Sequence, residues 1–119
     1  MIWRVMLSSK LWNQSAYEHK WYTDPSARVF AQSKGRARMR VLPTTRDEVW
    51  FVLRGHVVMK GVVLTDGFME GDDHKTHACN LGTVRPHAEM KEYAYVKITE
   101  IGLAHAIAPS GQRTWAQVR

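Results

Sequence analysis

Three aromatic side chains lie close together in the first quarter of the chain, with lysines beside them. Trp12, Trp21 and Tyr22 occur within eleven residues, and Lys10 and Lys20 flank them. A nucleobase that stacks on such a ring gains roughly 1–3 kcal/mol, while lysines neutralise its phosphates. The pattern therefore predicts a surface that holds an extruded base. The alternative, that the two tryptophans are core residues closing the end of a barrel, stays open.

Short polar side chains next to these rings could read the edge of a base. Hydroxyl and amide groups of this kind donate and accept hydrogen bonds. A base that leaves such groups unpaired is rejected, which gives the site its selectivity. We therefore predict a base pocket, accepting an ordinary or a modified base, that is lined by Ser8, Ser9, Trp12, Asn13, Trp21 and Tyr22.

The charge of the chain favours an anionic partner. The formal net charge is +6, and residues 1–60 carry eleven basic and four acidic side chains. If residues 34–40 are extended, Arg36, Arg38 and Arg40 fall on one face, spaced to follow a phosphate backbone. A solvated edge strand that uses charge against aggregation is the alternative for this stretch. The predicted phosphate-binding residues are Lys10, Lys20, Lys34, Arg36, Arg38, Arg40 and Arg113.

A second group of reactive side chains lies in residues 65–91, which we predict to be a long polar loop. It contains His74, His77, Cys79 and His87, all possible metal ligands. Their spacing matches no zinc pattern and no Cys-x-x-Cys pair is present, so we expect neither a metal nor a cofactor. The sequence also has no P-loop and no Gly-x-Ser-x-Gly motif, so we assign no catalytic residue.

Length and composition bound the class of protein. The 119 residues are 45% hydrophobic and 24% charged, which predicts one globular domain spanning residues 1–119. No apolar run approaches the ~18 residues of a membrane span. The single cysteine excludes an internal disulfide and fits a reducing compartment. We expect a monomer inside the cell, in the cytoplasm or with the genome, and no membrane partner.

Hydrophobic patterning predicts a mostly β domain with short helices near its start. The predicted strands are residues 2–7, 39–42, 49–53, 57–64, 93–101 and 111–118. Residues 11–20 and 25–32 predict helices, the second because Asp24 can cap it and Pro25 suits a first turn. Residues 103–107 fit a strand or a turn. Residues 49–64 form the clearest unit, a β-hairpin in which Gly61 predicts a bulge. Trp3 and Trp50 lie inside strands, where we predict core positions.

Three segments together resemble the PUA-like superfamily, which includes EVE, YTH and ASCH domains. Residues 5–10 (VMLSSK) are similar to the first strand of that family and its polar exit. Residues 20–23 (KWYT) resemble the segment that supplies a pocket tryptophan in YTH and EVE domains. Residues 47–63 resemble the central hairpin, with an acidic residue in the turn before an apolar strand and a glycine in the return strand. The resemblance implies a small barrel that binds RNA or DNA and often inserts one modified base into an aromatic cavity.

These observations predict an α+β fold, a small PUA-like mixed β-barrel of five or six strands with one or two short helices near the N-terminus. The predicted function is nucleic-acid binding. Two alternatives stay open. ASCH relatives include hydrolases of RNA or modified nucleosides that use lysine, threonine and glutamate, types that Lys10, Thr23 and Glu100 match. The tryptophans could instead be hot spots for a partner protein.

Overall fold

A computed structural model describes residues 1–10, 12–35, 39–70, 92–109 and 114–118. These contain one α-helix, one 3₁₀-helix and eight strands. In chain order the elements are β1 (Ile2–Met6), α1 (Gln14–Thr23), the 3₁₀-helix (Pro25–Arg28), β2 (Val29–Ser33), β3 (Glu48–Leu53), β4 (His56–Val63), β5 (Met69–Glu70), β6 (Glu92–Glu100), β7 (His105–Ala106) and β8 (Trp115–Gln117).

The strands form one curled sheet. Its hydrogen-bonded order is β2-β6-β4-β3-β1-β8, with β5 added to β6 and β7 added to β4. Among the described strands, β1 and β3 pair in parallel, and the other pairs are antiparallel. Because β1 and β3 run in the same direction, the segments that follow them leave the sheet at the same edge.

The two outermost strands of this order approach each other through a side chain. The Trp115 indole nitrogen on β8 donates a hydrogen bond of 2.9 Å to the Ser33 carbonyl oxygen at the end of β2. The Trp115 ring also packs against Trp3, at 6.0 Å between centroids, and against Phe68, at 5.4 Å. The sheet is therefore a half-barrel whose open side is bridged by an indole.

The central hairpin is defined by its turn and by one glycine. Arg54 and Gly55 both have positive φ, 51° and 79°, the signature of a type I′ turn between β3 and β4. Gly61 lies against β6, where an added Cβ would stand 2.6 Å from the Lys97 carbonyl oxygen. The β4–β6 register shifts between Lys60 and Gly61, so the predicted bulge is confirmed.

The core lies on the concave side of the sheet and is rich in aromatic rings. Trp12 packs against Tyr17 at 5.2 Å and against Phe30 at 5.4 Å, and Phe30 packs against Phe51 at 5.2 Å between centroids. Helix α1 contributes Tyr17, which is fully buried and donates its hydroxyl to the Ala27 carbonyl oxygen at 2.6 Å. These contacts attach α1 and the 3₁₀-helix to the sheet.

The α+β class and the barrel-like sheet are confirmed, as are the strands predicted at 2–7 and 93–101 and the hairpin. The predicted number of five or six strands is wrong, since the described residues form eight. Strands β2 and β5 were not expected, and β7 lies in the segment 103–107 that was predicted to be a strand or a turn. The helix predicted at 25–32 is wrong beyond Arg28, since residues 29–33 pair with β6 instead. The helix predicted at 11–20 begins at Gln14 and continues to Thr23. The strand predicted at 39–42 is absent from the described residues 39–42.

Candidate functional site

The loop after β1 meets the hairpin turn at the edge where β1 and β3 end. The Leu7 amide donates to the Val52 carbonyl oxygen at 2.8 Å, and the Arg54 guanidinium donates to the Ser9 carbonyl oxygen at 3.3 Å. Ser8, Ser9 and Lys10 are all exposed here. The predicted polar exit of β1 therefore lies at the surface, with Lys10 and Arg54 supplying positive charge.

Asn13 and Trp12 serve the start of helix α1. The Asn13 side-chain oxygen accepts the Ala16 amide at 3.0 Å, which caps the helix. Trp12 is 7% exposed, and its indole donates to the Gln14 side chain at 2.6 Å. Trp12 thus has the position of a core residue, and the oxygen with which Asn13 would read a base is engaged in capping.

The other end of α1 carries one exposed and one half-buried aromatic ring, with two cations in the same segment. Tyr22 is 70% exposed, and its ring stands edge-on to Trp21 with 5.2 Å between centroids. The Arg28 guanidinium lies 4.4 Å from the centroid of the half-buried Trp21 ring. Lys20 is in the last turn of the same helix. We name Lys20, Trp21, Tyr22 and Arg28 the α1 end cluster.

Hydrogen bonds to backbone groups hold this cluster in place. The Trp21 indole donates to the Ile98 carbonyl oxygen on β6 at 3.1 Å, which ties the end of α1 to the sheet. Asp24 ends α1 and caps the 3₁₀-helix. Hydrogen bonds from the Ser26 hydroxyl and amide hold the pKa of the Asp24 carboxyl below its ordinary value, and the Lys20 charge adds to this. The segment that presents Tyr22 is therefore anchored on both sides.

The predicted base-pocket residues divide between the two ends of α1. Ser8, Ser9, Trp12 and Asn13 lie before the helix, whereas Trp21 and Tyr22 lie near its carboxyl end. About 12 Å of helix axis separates Asn13 from Trp21, from a rise of 1.5 Å per residue. The predicted pocket residues therefore form two separate groups, an aromatic pair at one end of α1 and a polar loop at the other.

The predicted phosphate-binding residues that the structure describes lie in separate segments of the chain. Lys34 forms an ion pair with Glu92 at 3.3 Å, and its ammonium lies 5.9 Å from the Phe68 ring centroid. Arg40 and Lys10 are exposed. Arg36, Arg38 and Arg113 lie outside the described residues, so the alignment of Arg36, Arg38 and Arg40 on one face stays a prediction.

The residues considered for other chemistry occupy separate places. Lys10 precedes α1 and Thr23 is its last residue, where the Thr23 hydroxyl donates to the His19 carbonyl oxygen at 3.0 Å. Glu100 is exposed at the end of β6. The four possible metal ligands of the predicted loop, His74, His77, Cys79 and His87, lie outside the described residues. Within the described ranges no three His, Cys, Asp or Glu side chains are placed to share a metal ion.

Sequence reasoning placed Trp50 wrongly. Val49 and Phe51 are fully buried in the core, but Trp50 between them is partly exposed and points to the opposite, convex face. Its register partners are Arg4 on β1 and Lys60 on β4, and the Lys60 ammonium lies 4.8 Å from the Trp50 ring centroid. The alternation of side chains along a strand was the signal for this placement, since neighbours of core residues face outward.

One buried carboxylate joins the start of β1 to the turn before β3. Asp47 accepts hydrogen bonds from the Trp3 indole at 3.0 Å and the Thr44 amide at 2.9 Å. Burial acts to raise the pKa of Asp47, but these hydrogen bonds and the amino group of Met1 together lower it below its ordinary value of 3.8. Asp47 therefore acts as a structural anion, and Trp3 has the core position predicted for it.

Comparisons with known proteins assign no family to this chain. No family model, no curated protein and no solved structure matches this chain. Across the part of the chain that the structure describes, no helix combines the length and the apolar character that crossing a membrane requires.

Proposed function

We propose that this chain binds single-stranded RNA or DNA by stacking a base on the α1 end cluster. The observation that carries the proposal is Tyr22, a 70% exposed ring that stands edge-on to Trp21, whose own ring has the Arg28 guanidinium 4.4 Å from its centroid. Tyr22 is the one aromatic residue of the described ranges that is largely exposed, and the anchored helix end holds its ring where a partner can reach it.

The composition of the cluster favours a nucleic acid over an apolar partner. A single strand offers a flat base and a charged backbone at short repeat, which an aromatic ring with adjacent lysine and arginine side chains complements. The carboxylates of Asp24, next to Lys20, and of Glu18, one helical turn before Tyr22, offset the charges of Lys20 and Arg28 locally. The overall charge of +6 adds attraction at longer range.

The resemblance to PUA-like domains also favours the proposed binding of a nucleic acid. That resemblance implied a barrel-like fold and a pocket tryptophan in the segment of Trp21, and its relatives bind RNA or DNA. The curled sheet of this chain agrees with the implied fold. The polar loop at Ser8 and Ser9, together with Lys10, would then contact the neighbouring nucleotides rather than the stacked base.

The test is a titration of the full chain with labelled single-stranded RNA and DNA at low and at physiological salt. Tyr22→Ala should weaken binding by about 5- to 150-fold, the equivalent of roughly 1–3 kcal/mol for one stacked base. Tyr22→Phe is the matched control, because it keeps the ring and should bind like the wild type. Lys20→Gln should reduce the slope of binding against salt by about one unit.

Two results would overturn the proposal. One is the absence of binding to either oligonucleotide at low salt. The other is binding by Tyr22→Ala that equals that of Tyr22→Phe, since the stacking surface would then be elsewhere. Tyr22 makes few internal contacts at its exposure, so both variants should keep the wild-type unfolding midpoint, which the same samples can report.

A further inference from the structure

A row of three side chains crosses the convex face of the sheet. Arg4 on β1 is the register partner of Trp50 on β3, and Trp50 is the register partner of Lys60 on β4. Residues in register on adjacent strands lie about 4.8 Å apart and share a face. A partly exposed indole therefore stands between a guanidinium and an ammonium group. We name Arg4, Trp50 and Lys60 the convex row.

The hydrogen bonds of the tryptophans single out this row. Four of the five indole N–H groups donate to an acceptor in the protein, those of Trp3, Trp12, Trp21 and Trp115. The Trp50 N–H is buried and has no acceptor among the described residues, and the same is true of the Arg4 Nε–H next to it. Buried donors without acceptors are rare, and two in register neighbours call for an explanation.

Two cations, Arg4 and Lys60, lie in register with Trp50, and Glu48 lies two residues before Trp50 on the same face of β3. The Arg4 guanidinium is fixed by a hydrogen bond to the Ala108 carbonyl oxygen, which leaves its Nε directed elsewhere. The Lys60 ammonium lies 4.8 Å from the Trp50 ring centroid. Glu100 is the register partner of Lys60, yet neither Lys60 nor Arg4 forms an ion pair with a described carboxylate. Two cations and two unpaired donors thus lie in one row, and no described carboxylate is within ion-pair distance of either cation.

We propose that the convex row binds a phosphate group. Three donors on three different strands need acceptor oxygens that point in several directions, which a tetrahedral phosphate offers and a planar carboxylate does not. The residues Arg4, Trp50 and Lys60 are each partly exposed, but the two unpaired nitrogens are buried, so the ligand reaches them only when the Lys60 or Trp50 side chain rotates. The phosphate is either free or part of a polynucleotide backbone.

This inference is independent of the α1 end cluster, and its test reads a different signal. The five indole N–H groups give five separate proton–nitrogen correlation peaks in NMR, and Trp50→Phe identifies the Trp50 peak by its loss. Inorganic phosphate, added to the full chain at constant ionic strength, should shift the Trp50 peak in a saturable way. The other four peaks should move little, because their donors already have acceptors.

Variants that remove one lysine charge test whether phosphate binding depends on the convex row or on the net charge of the protein. Lys60→Gln should weaken phosphate binding about tenfold, the loss of one charged hydrogen bond. Lys97→Gln is the matched control. Lys97 is exposed on the neighbouring strand β6, and its substitution by glutamine removes the same charge. Lys60→Gln keeps the Trp50 peak, so it decides the question even if Trp50→Phe does not fold.

The outcomes separate the sources and the alternatives. A shift with inorganic phosphate alone indicates a free phosphate, and a shift with a single-stranded oligonucleotide alone indicates a backbone phosphodiester; both support the phosphate site. The proposal is overturned if neither ligand moves the Trp50 peak, if chloride moves it equally, or if Lys60→Gln and Lys97→Gln bind alike. Oligonucleotide binding that depends on Tyr22 while the Trp50 peak stays still would support the proposed function and reject this site.

Discussion

Replacing Gly61 by alanine tests the close packing of β4 against β6. Gly61 is buried where β4 meets β6, and its φ is outside the left-handed range, so alanine is conformationally permitted there. The new Cβ would stand 2.6 Å from both the Lys97 carbonyl oxygen and Val96 Cγ1, whereas ordinary contact begins at 3.4 Å. One of these two atoms belongs to the backbone of β6, so relief requires a shift of the strand.

The expected cost follows from that displacement. Overpacking a core by one carbon destabilises by about 1–3 kcal/mol, and a clash with backbone favours the upper end of this range. For a domain of this size, such a loss lowers the unfolding midpoint by about 10 °C. Thermal and urea denaturation of Gly61→Ala, followed by circular dichroism, measure both quantities.

Gly55 supplies the matched control for this experiment. An added Cβ at Gly55 meets no atom within 4 Å, but its φ of +79° disfavours alanine. Gly55→Ala should therefore cost about 1 kcal/mol from backbone strain, and Gly55→Asn less, because asparagine tolerates that conformation. Steric reasoning at Gly61 is refuted if Gly61→Ala unfolds at the wild-type midpoint, or if Gly55→Ala proves the more damaging change.

Two further predictions concern Asp47 and Asn13. The pKa of Asp47 is lowered by folding, so its ionised form stabilises the protein above pH about 4, and this contribution is lost as the pH falls towards the lower folded value. Asp47→Asn should cost about 1–3 kcal/mol at pH 7, and its difference from wild type in urea denaturation should shrink at pH 3; a constant difference would contradict the ionic role. Asn13→Ala should cost about 1 kcal/mol by loss of the cap, while Asn13→Ser should retain most of the stability. If both Asn13 variants instead keep full stability and lose oligonucleotide binding, Asn13 reads a base and capping is secondary.

Local chemistry along the chain was sufficient to predict the central hairpin. The apolar run at 49–53, the Arg54-Gly55 turn and the return strand each carry their own signal in the local sequence. The alternating strand of residues 92–100 was predictable for the same reason. The sequence also singled out Trp21 and Tyr22 by residue type and spacing, but their role in binding a base stays a prediction.

Long-range pairing decided the rest. Pro25 and Asp24 start a helical turn as predicted, but residues 29–33 become β2, because five consecutive pairs with β6 outweigh a local helical preference. Tertiary packing also separated the tryptophans: Trp12 lies in the core, Trp21 is half-buried, and Trp50 faces the convex side. The convex row exists only because β1 pairs in parallel with β3, whose residues are more than forty positions away in the chain. The residue types in the sequence therefore indicated which interactions this protein could make. Strand register, which is set by contacts between distant segments, determined which of those residues lie side by side.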